Sequence, residues 1–235
     1  MHYIVAGAVL LLSLVTALAS YALAPKLMEE NASDPEETTE YSTALAAKNP
    51  GFFRSRTWKQ WVLMGIASLL CAWAAWSMAA AQTEVLDLIA KTAAMLLLLS
   101  AMVIDWQTHL IPNVLVLAGF AVGAVLLVVE FFVASQGFVG TLLARILGLI
   151  CCVVIFYVMA RLTKDGIGLG DVKLIGCLGW LLGLASVLFT VLFALLICSV
   201  VSIVLLLGKK KDKHYRIPFG PFLFFGYIIL LLLSY

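Results

Sequence analysis

Apolar runs long enough to cross a bilayer recur along this chain and leave few folds open to it. Tyr3 to Leu23, Trp61 to Ala81, Leu86 to Ile104, Val114 to Ala134 and Phe138 to Ala160 are five such runs. Each approaches the roughly 20 residues needed to span a core of about 30 Å at 1.5 Å per residue. Val172 to Leu207 is too long for one upright helix and reads as a short pair, with Gly179, Gly183 and Ser186 offering places to turn, and Pro221 to Leu233 is the last run. Inside lipid each backbone N–H and C=O must be paired within its own segment, which selects helices for runs of this length. The expected architecture is all-α, a polytopic integral membrane bundle of about eight transmembrane segments. With 64% hydrophobic and 12% charged residues, an ordinary soluble protein is excluded, and the net charge of +2 gives no indication of nucleic acid as a partner.

Three parts are expected: a first span over residues 1–24, a cytoplasmic loop over 25–60, and a membrane-embedded domain over 61–235. Ala22-Leu23-Ala24 mimics a signal-peptide cleavage site, but no Lys or Arg precedes the run and Pro25 follows it, so a retained span is the better reading. The loop carries an acidic block from Glu29 to Glu40 and reads as solvated. Of the 15 Lys and Arg residues, 13 fall between Lys26 and Lys59, Arg161 and Lys173, or Lys209 and Arg216. If Val172 to Leu207 crosses twice, all three segments lie on one side, which the positive-inside rule makes cytoplasmic. A single tilted span there would send Lys209 to Arg216 to the wrong side.

The five cysteines, Cys71, Cys151, Cys152, Cys177 and Cys198, lie in apolar stretches with no Cys-x-x-Cys pair. They read as small core residues, and no metal site is expected. The six tryptophans read as interfacial anchors. Glu84, Asp87 and Glu130 border spans on the opposite face and read as solvated ends.

Two acids differ from these. Asp105 closes an apolar run in Ile104-Asp105-Trp106-Gln107-Thr108-His109-Leu110-Ile111-Pro112-Asn113, and Asp171 sits in Gly166-Ile167-Gly168-Leu169-Gly170-Asp171-Val172-Lys173-Leu174. An acid beside the bilayer is expensive, and such groups are kept mainly where they pair, bind or react. On the eight-span topology both face the cytoplasm. If they meet, one keeps a proton as general acid while the other, ionised, polarises a water. Gly166, Gly168 and Gly170 can adopt positive φ and admit a second backbone close to the acid. His109 reads as a hydrogen-bonding interface residue, with a catalytic role as the rival. Lys173 is a candidate for supporting the pair or binding substrate, with a plain positive-inside residue as the alternative. Pro112 suits the first turn of a helix, with Asn113 beside it. Pro218 and Pro221 bracket Gly220 and give a rigid start to the last span, either as a wall of a substrate groove or as a plain loop-to-helix junction.

These motifs resemble those of the type IV prepilin peptidases, membrane aspartyl proteases of the Gly-x-Gly-Asp type. The matching residues are Asp105 with Ile111-Pro112-Asn113, then Gly168-Leu169-Gly170-Asp171-Val172-Lys173-Leu174, then Pro218-Phe219-Gly220-Pro221. The resemblance implies catalysis by Asp105 and Asp171 without cofactor or metal. Gly168, Gly170, Lys173, Pro112, Asn113, Pro218, Gly220 and Pro221 would support the pair or the substrate. It also implies prepilin or pseudopilin precursors as substrates, cut at a basic leader, and a multi-pass location in the bacterial inner membrane with the site facing the cytoplasm. Bifunctional members of that family carry paired Cys-x-x-Cys motifs in the region corresponding to 25–60. Their absence here argues against N-methyltransferase activity. Two rivals stay open on the residues alone: a presenilin or signal-peptide-peptidase-like intramembrane protease, and an ion-coupled transporter using the paired acids.

Overall fold

The computed structural model describes residues 2–31, 58–80, 84–133, 137–162, 168–207 and 218–234. The described residues form eight helices and no strand: α1 His2–Asn31, α2 Trp58–Ala80, α3 Val85–Thr108, α4 Asn113–Val133, α5 Phe138–Leu162, α6 Leu169–Leu182, α7 Leu184–Leu207 and α8 Gly220–Leu233. The first helix therefore runs on past residue 24, to Asn31. Among the described residues four helices are long and apolar enough to cross a bilayer by themselves, namely α3, α4, α5 and α7. The remaining apolar stretches, within α1, α2 and α8, are shorter.

Helix α3 is the central column. Its most apolar window is 61% buried, against 22% for α4, α5 and α7, and it packs on α1, α2, α4, α6 and α8. Leu98, Leu99, Met95 and Met102 on α3 are fully enclosed, and Leu174, Ile175 and Leu178 of α6 and Leu223 and Phe224 of α8 share the same core. Lipid is as apolar as these side chains, so burial alone drives little association and close packing has to supply it.

Small residues make that packing possible. Where α5 crosses α6, a Cβ added at Gly148 would lie 2.7 Å from the Gly179 carbonyl oxygen, and one at Gly179 would lie 2.5 Å from the Gly148 carbonyl carbon. The two backbones touch. The long run from Val172 to Leu207 is two helices, divided where Gly183 takes φ +79 and donates its N–H to the Gly179 carbonyl. At 14 residues α6 is about 21 Å long, shorter than the hydrocarbon core.

Two expectations from the sequence need correction. Glu130 is not a solvated end: its carboxylate meets Arg145 Nη2 at 3.0 Å, with the Glu130 side chain only 16% exposed. Trp180 is not an interfacial anchor either. Its indole N–H donates to the Phe120 carbonyl at 3.3 Å and ties α6 to α4, whereas Trp73, Trp76 and Trp106 are exposed. The side chains of Trp58 and Trp61 lie outside the described residues.

Replacing Gly179 by Leu forces apart two backbones that no rotamer change can relieve. The expected cost is about 1 to 3 kcal/mol or more, read as a lowered thermal unfolding midpoint in detergent. An unchanged midpoint would contradict the backbone contact between α5 and α6.

Candidate active site

Asp105 occupies the last turn of α3 and is 4% exposed. The helix stops just beyond it because His109 takes the left-handed conformation at φ 53 and donates its N–H back to the Asp105 carbonyl at 2.9 Å. Thr108 locks the same turn, its hydroxyl donating to the Ile104 carbonyl at 2.9 Å and accepting from the Leu110 N–H at 3.2 Å. His109 thus works here as a helix terminator.

The Asp105 carboxylate is held from another part of the chain. Gly220 N–H donates to Asp105 Oδ2 at 2.7 Å. Gly220 opens α8, whose first N–H groups have no partner inside the helix, and the preceding Phe219 supplies no side-chain cap. The acid from α3 fills that place, where an anion also suits the helix dipole. The approach is too close for any side chain at 220, because an added Cβ would lie 2.9 Å from Asp105 Oδ2 and 3.0 Å from Asp105 Cβ. Pro221, in the first turn of α8, fixes φ where no N–H is needed. The structure brings Gly220 directly to the acid, a contact that neither sequence reading of this junction included.

Asp171 lies in the first turn of α6, after the N-cap Gly168, and its N–H donates to the Gly168 carbonyl at 3.1 Å. Its side chain turns back over that glycine, so a Cβ at Gly168 would sit 3.3 Å from Asp171 Oδ2. Asp171 and Asp105 are near enough for their carboxylates to interact electrostatically.

The glycines do not act as the sequence suggested. Gly168 has φ −68 and Gly170 is helical, so neither needs positive φ. Gly166 lies outside the described residues. Gly170 does admit a second backbone, but it is the chain's own: an added Cβ would lie 3.2 Å from Ile111 Cβ and 3.6 Å from the Ile111 nitrogen and oxygen. The Asp105 and Asp171 motifs therefore pack on each other. Lys173 joins them a second time, its Nζ donating to Asn113 Oδ1 at 3.2 Å, a contact with the other motif. Pro112 is buried and sits one residue ahead of α4, which starts at Asn113. Pro218 is partly buried just ahead of Phe219 and Gly220.

The sequence reading missed Thr108 and Ile111 as positioning residues. A hydroxyl residue at a helix end is a recognisable turn signal, whereas Ile111 entered only as part of its motif, and nothing in its residue type marks it as the packing partner of Gly170. Among the described residues no three His, Cys, Asp or Glu side chains gather as a metal site would require. Chemically, the arrangement offers two interacting carboxylates, one buried and one partly buried, the first of them held by a backbone N–H.

Comparison with known proteins bears on the same segment. Residues 92–203, which include both acids, match the type IV leader peptidase family. A prepilin leader peptidase/N-methyltransferase of Xanthomonas campestris pv. campestris is 31% identical over 121 residues, covering 51% of this chain and 41% of that protein. Its counterpart in Pseudomonas aeruginosa is 31% identical over 147 residues, covering 60% and 50%. The chain thus spans about half the length of these relatives or less. No solved structure matches.

Substituting Gly220 by Ala should expel the Asp105 carboxylate from its hydrogen bond. Carbodiimide labelling of Asp105, read by mass spectrometry, is expected to rise by about tenfold or more, the factor that corresponds to losing one charge-assisted hydrogen bond. Labelling as slow as in the parent protein would show that Gly220 does not shield the acid.

Proposed function

We infer, from the match of residues 92–203 to the type IV leader peptidase family, that this chain is a membrane aspartyl endopeptidase acting on prepilin-like precursors. The observation that carries the reading is the packing of the two acid-bearing segments on each other, Ile111 against Gly170 and Lys173 on Asn113, with Asp105 and Asp171 more than sixty positions apart in sequence and both inside the matched segment. The same match favours this activity over the presenilin-like and transporter readings.

In the proposed reaction one carboxylate is ionised and takes a proton from a water as that water attacks the scissile carbonyl. The other is protonated and donates to the carbonyl oxygen; the departing amine then collects a proton as the tetrahedral intermediate collapses. Gly220 N–H keeps Asp105 in one orientation throughout, and the Ile111–Gly170 contact keeps the two acid-bearing segments in register. Pre-organisation of this kind lowers the cost of reaching a productive geometry.

The substrate is proposed to be a prepilin or pseudopilin with a short basic leader, cut at the cytoplasmic face of the inner membrane. The clustering of Lys and Arg in the segments that flank the acid-bearing helix ends supports that orientation. The relatives' names include an N-methyltransferase, but no Cys-x-x-Cys pair occurs in this sequence, and methyl transfer is not proposed.

Purified protein incubated with a synthetic prepilin is expected to release the leader without any ion gradient. Mass spectrometry should find a single new N-terminus and no added methyl group. Asp105→Asn and Asp171→Asn should each lower the rate by about 10² to 10⁴-fold or more while the protein still inserts normally. Full processing by either variant would end this reading. The rate should also be bell-shaped in pH: the pair needs one proton, so activity falls at low pH when both acids are protonated and at high pH when both are ionised. A rate that keeps rising with pH would argue against a shared-proton pair.

A further inference from the structure

Two basic residues, Lys91 and Arg145, stand apart from the clusters that hold the other 13. Lys91 lies near the start of α3 and Arg145 in the first half of α5, at the other end of α3 from Asp105. Each has an acidic partner: Lys91 Nζ meets Asp87 at 2.7 Å, and Arg145 Nη2 meets Glu130 at 3.0 Å. Both pairs line a cavity of about 220 Å³, together with Glu84, Thr141 and Ser186.

The pairing is incomplete. Arg145 is 8% exposed, yet its Nη1 is buried with no hydrogen-bond partner among the described residues. A guanidinium offers five N–H donors, and leaving a buried one unmet is costly. An arginine held at such cost inside a membrane helix marks a binding or functional position. The three carboxylates that line the cavity leave this donor unmet. Among its lining residues Glu84 and Asp87 are exposed carboxylates, which suit a cation. The cavity is thus lined by an arginine with one unmet N–H group and by two exposed carboxylates. The helix ends beside it carry Val85, Phe132, Val133 and Val139, all more than two-thirds exposed, as befits a surface in contact with acyl chains.

We propose that this cavity binds a phosphoethanolamine headgroup, that of a phosphatidylethanolamine molecule of the surrounding leaflet, with the phosphate on Arg145 and the ammonium against Glu84 and Asp87. A phosphate accepts from a guanidinium in its fork geometry, and the primary ammonium has three donors for the two carboxylates. A choline headgroup has no such donors, and a glycerol headgroup has no positive charge. The site is independent of the peptidase reading, and its test does not involve cleavage.

The full chain, purified in detergent and exchanged into nanodiscs, should be analysed by native mass spectrometry for retained lipid. In equal mixtures, wild type is expected to keep one phosphatidylethanolamine in preference to phosphatidylcholine or phosphatidylglycerol by about tenfold. Arg145→Gln should lose most of that retention. The double variant Glu84→Gln/Asp87→Asn, at exposed positions, should lose the preference over phosphatidylcholine, and it decides the matter alone if Arg145→Gln does not fold. Equal retention of the three lipids by wild type, a preference for phosphatidylglycerol, or an unchanged preference in the double variant would overturn the proposal. Displacement of the lipid by free phosphoethanolamine at equal concentration would overturn the lipid as its source.

Discussion

The hydrogen bond from Gly220 N–H to Asp105 Oδ2 meets two needs that would each be costly unmet. A helix beginning within a membrane bundle has N–H groups with no internal partner and little water to supply one. A buried carboxylate has lone pairs in the same position. Bringing α8 onto the end of α3 satisfies both at once. It also requires the two elements to approach until only glycine fits. The orientation of Asp105 is a consequence of that helix contact, and the position of Asp171 beside it follows from a second one, Ile111 on Gly170.

The rest of the bundle supports these contacts by close packing. With lipid competing for every apolar side chain, α5 and α6 are joined through Gly148 and Gly179, whose lack of side chains lets the main chains meet. Helix α3 passes through the middle, with buried leucines and methionines facing its neighbours and an ionisable group near each end: Asp105 at one, the Asp87–Lys91 pair at the other. Polar chemistry is thereby confined to the ends of the column. The acid pair and the charged cavity share this central helix, yet they are lined by different residues.

Much of this was legible from residue types. The apolar runs at Leu86 to Ile104, Val114 to Ala134 and Phe138 to Ala160 correspond closely to α3, α4 and α5, because length and continuous hydropathy are local properties. Gly183 was among the places offered for dividing the long run, and positive φ there does divide it. The misreadings concern partners. Gly168 and Gly170 were expected to adopt positive φ, but both have ordinary negative or helical backbone and work by admitting Asp171 and Ile111. Glu130 and Trp180 resemble ordinary boundary residues in one dimension, and only Arg145 and Phe120, supplied by other parts of the chain, make them internal ties.

Hydropathy, helix length and the order of three short motifs around Asp105, Asp171 and Gly220 are written along the chain, and they suffice for a helical membrane protein with two candidate acids. Which groups touch is not written there. The Gly220 hydrogen bond spans 115 positions, and the Lys173–Asn113 contact spans 60. Such pairings depend on how helices cross, and crossings are set by the shapes of whole packed surfaces. A glycine that permits a turn and one that permits a close approach are the same residue until the neighbouring helix is in place.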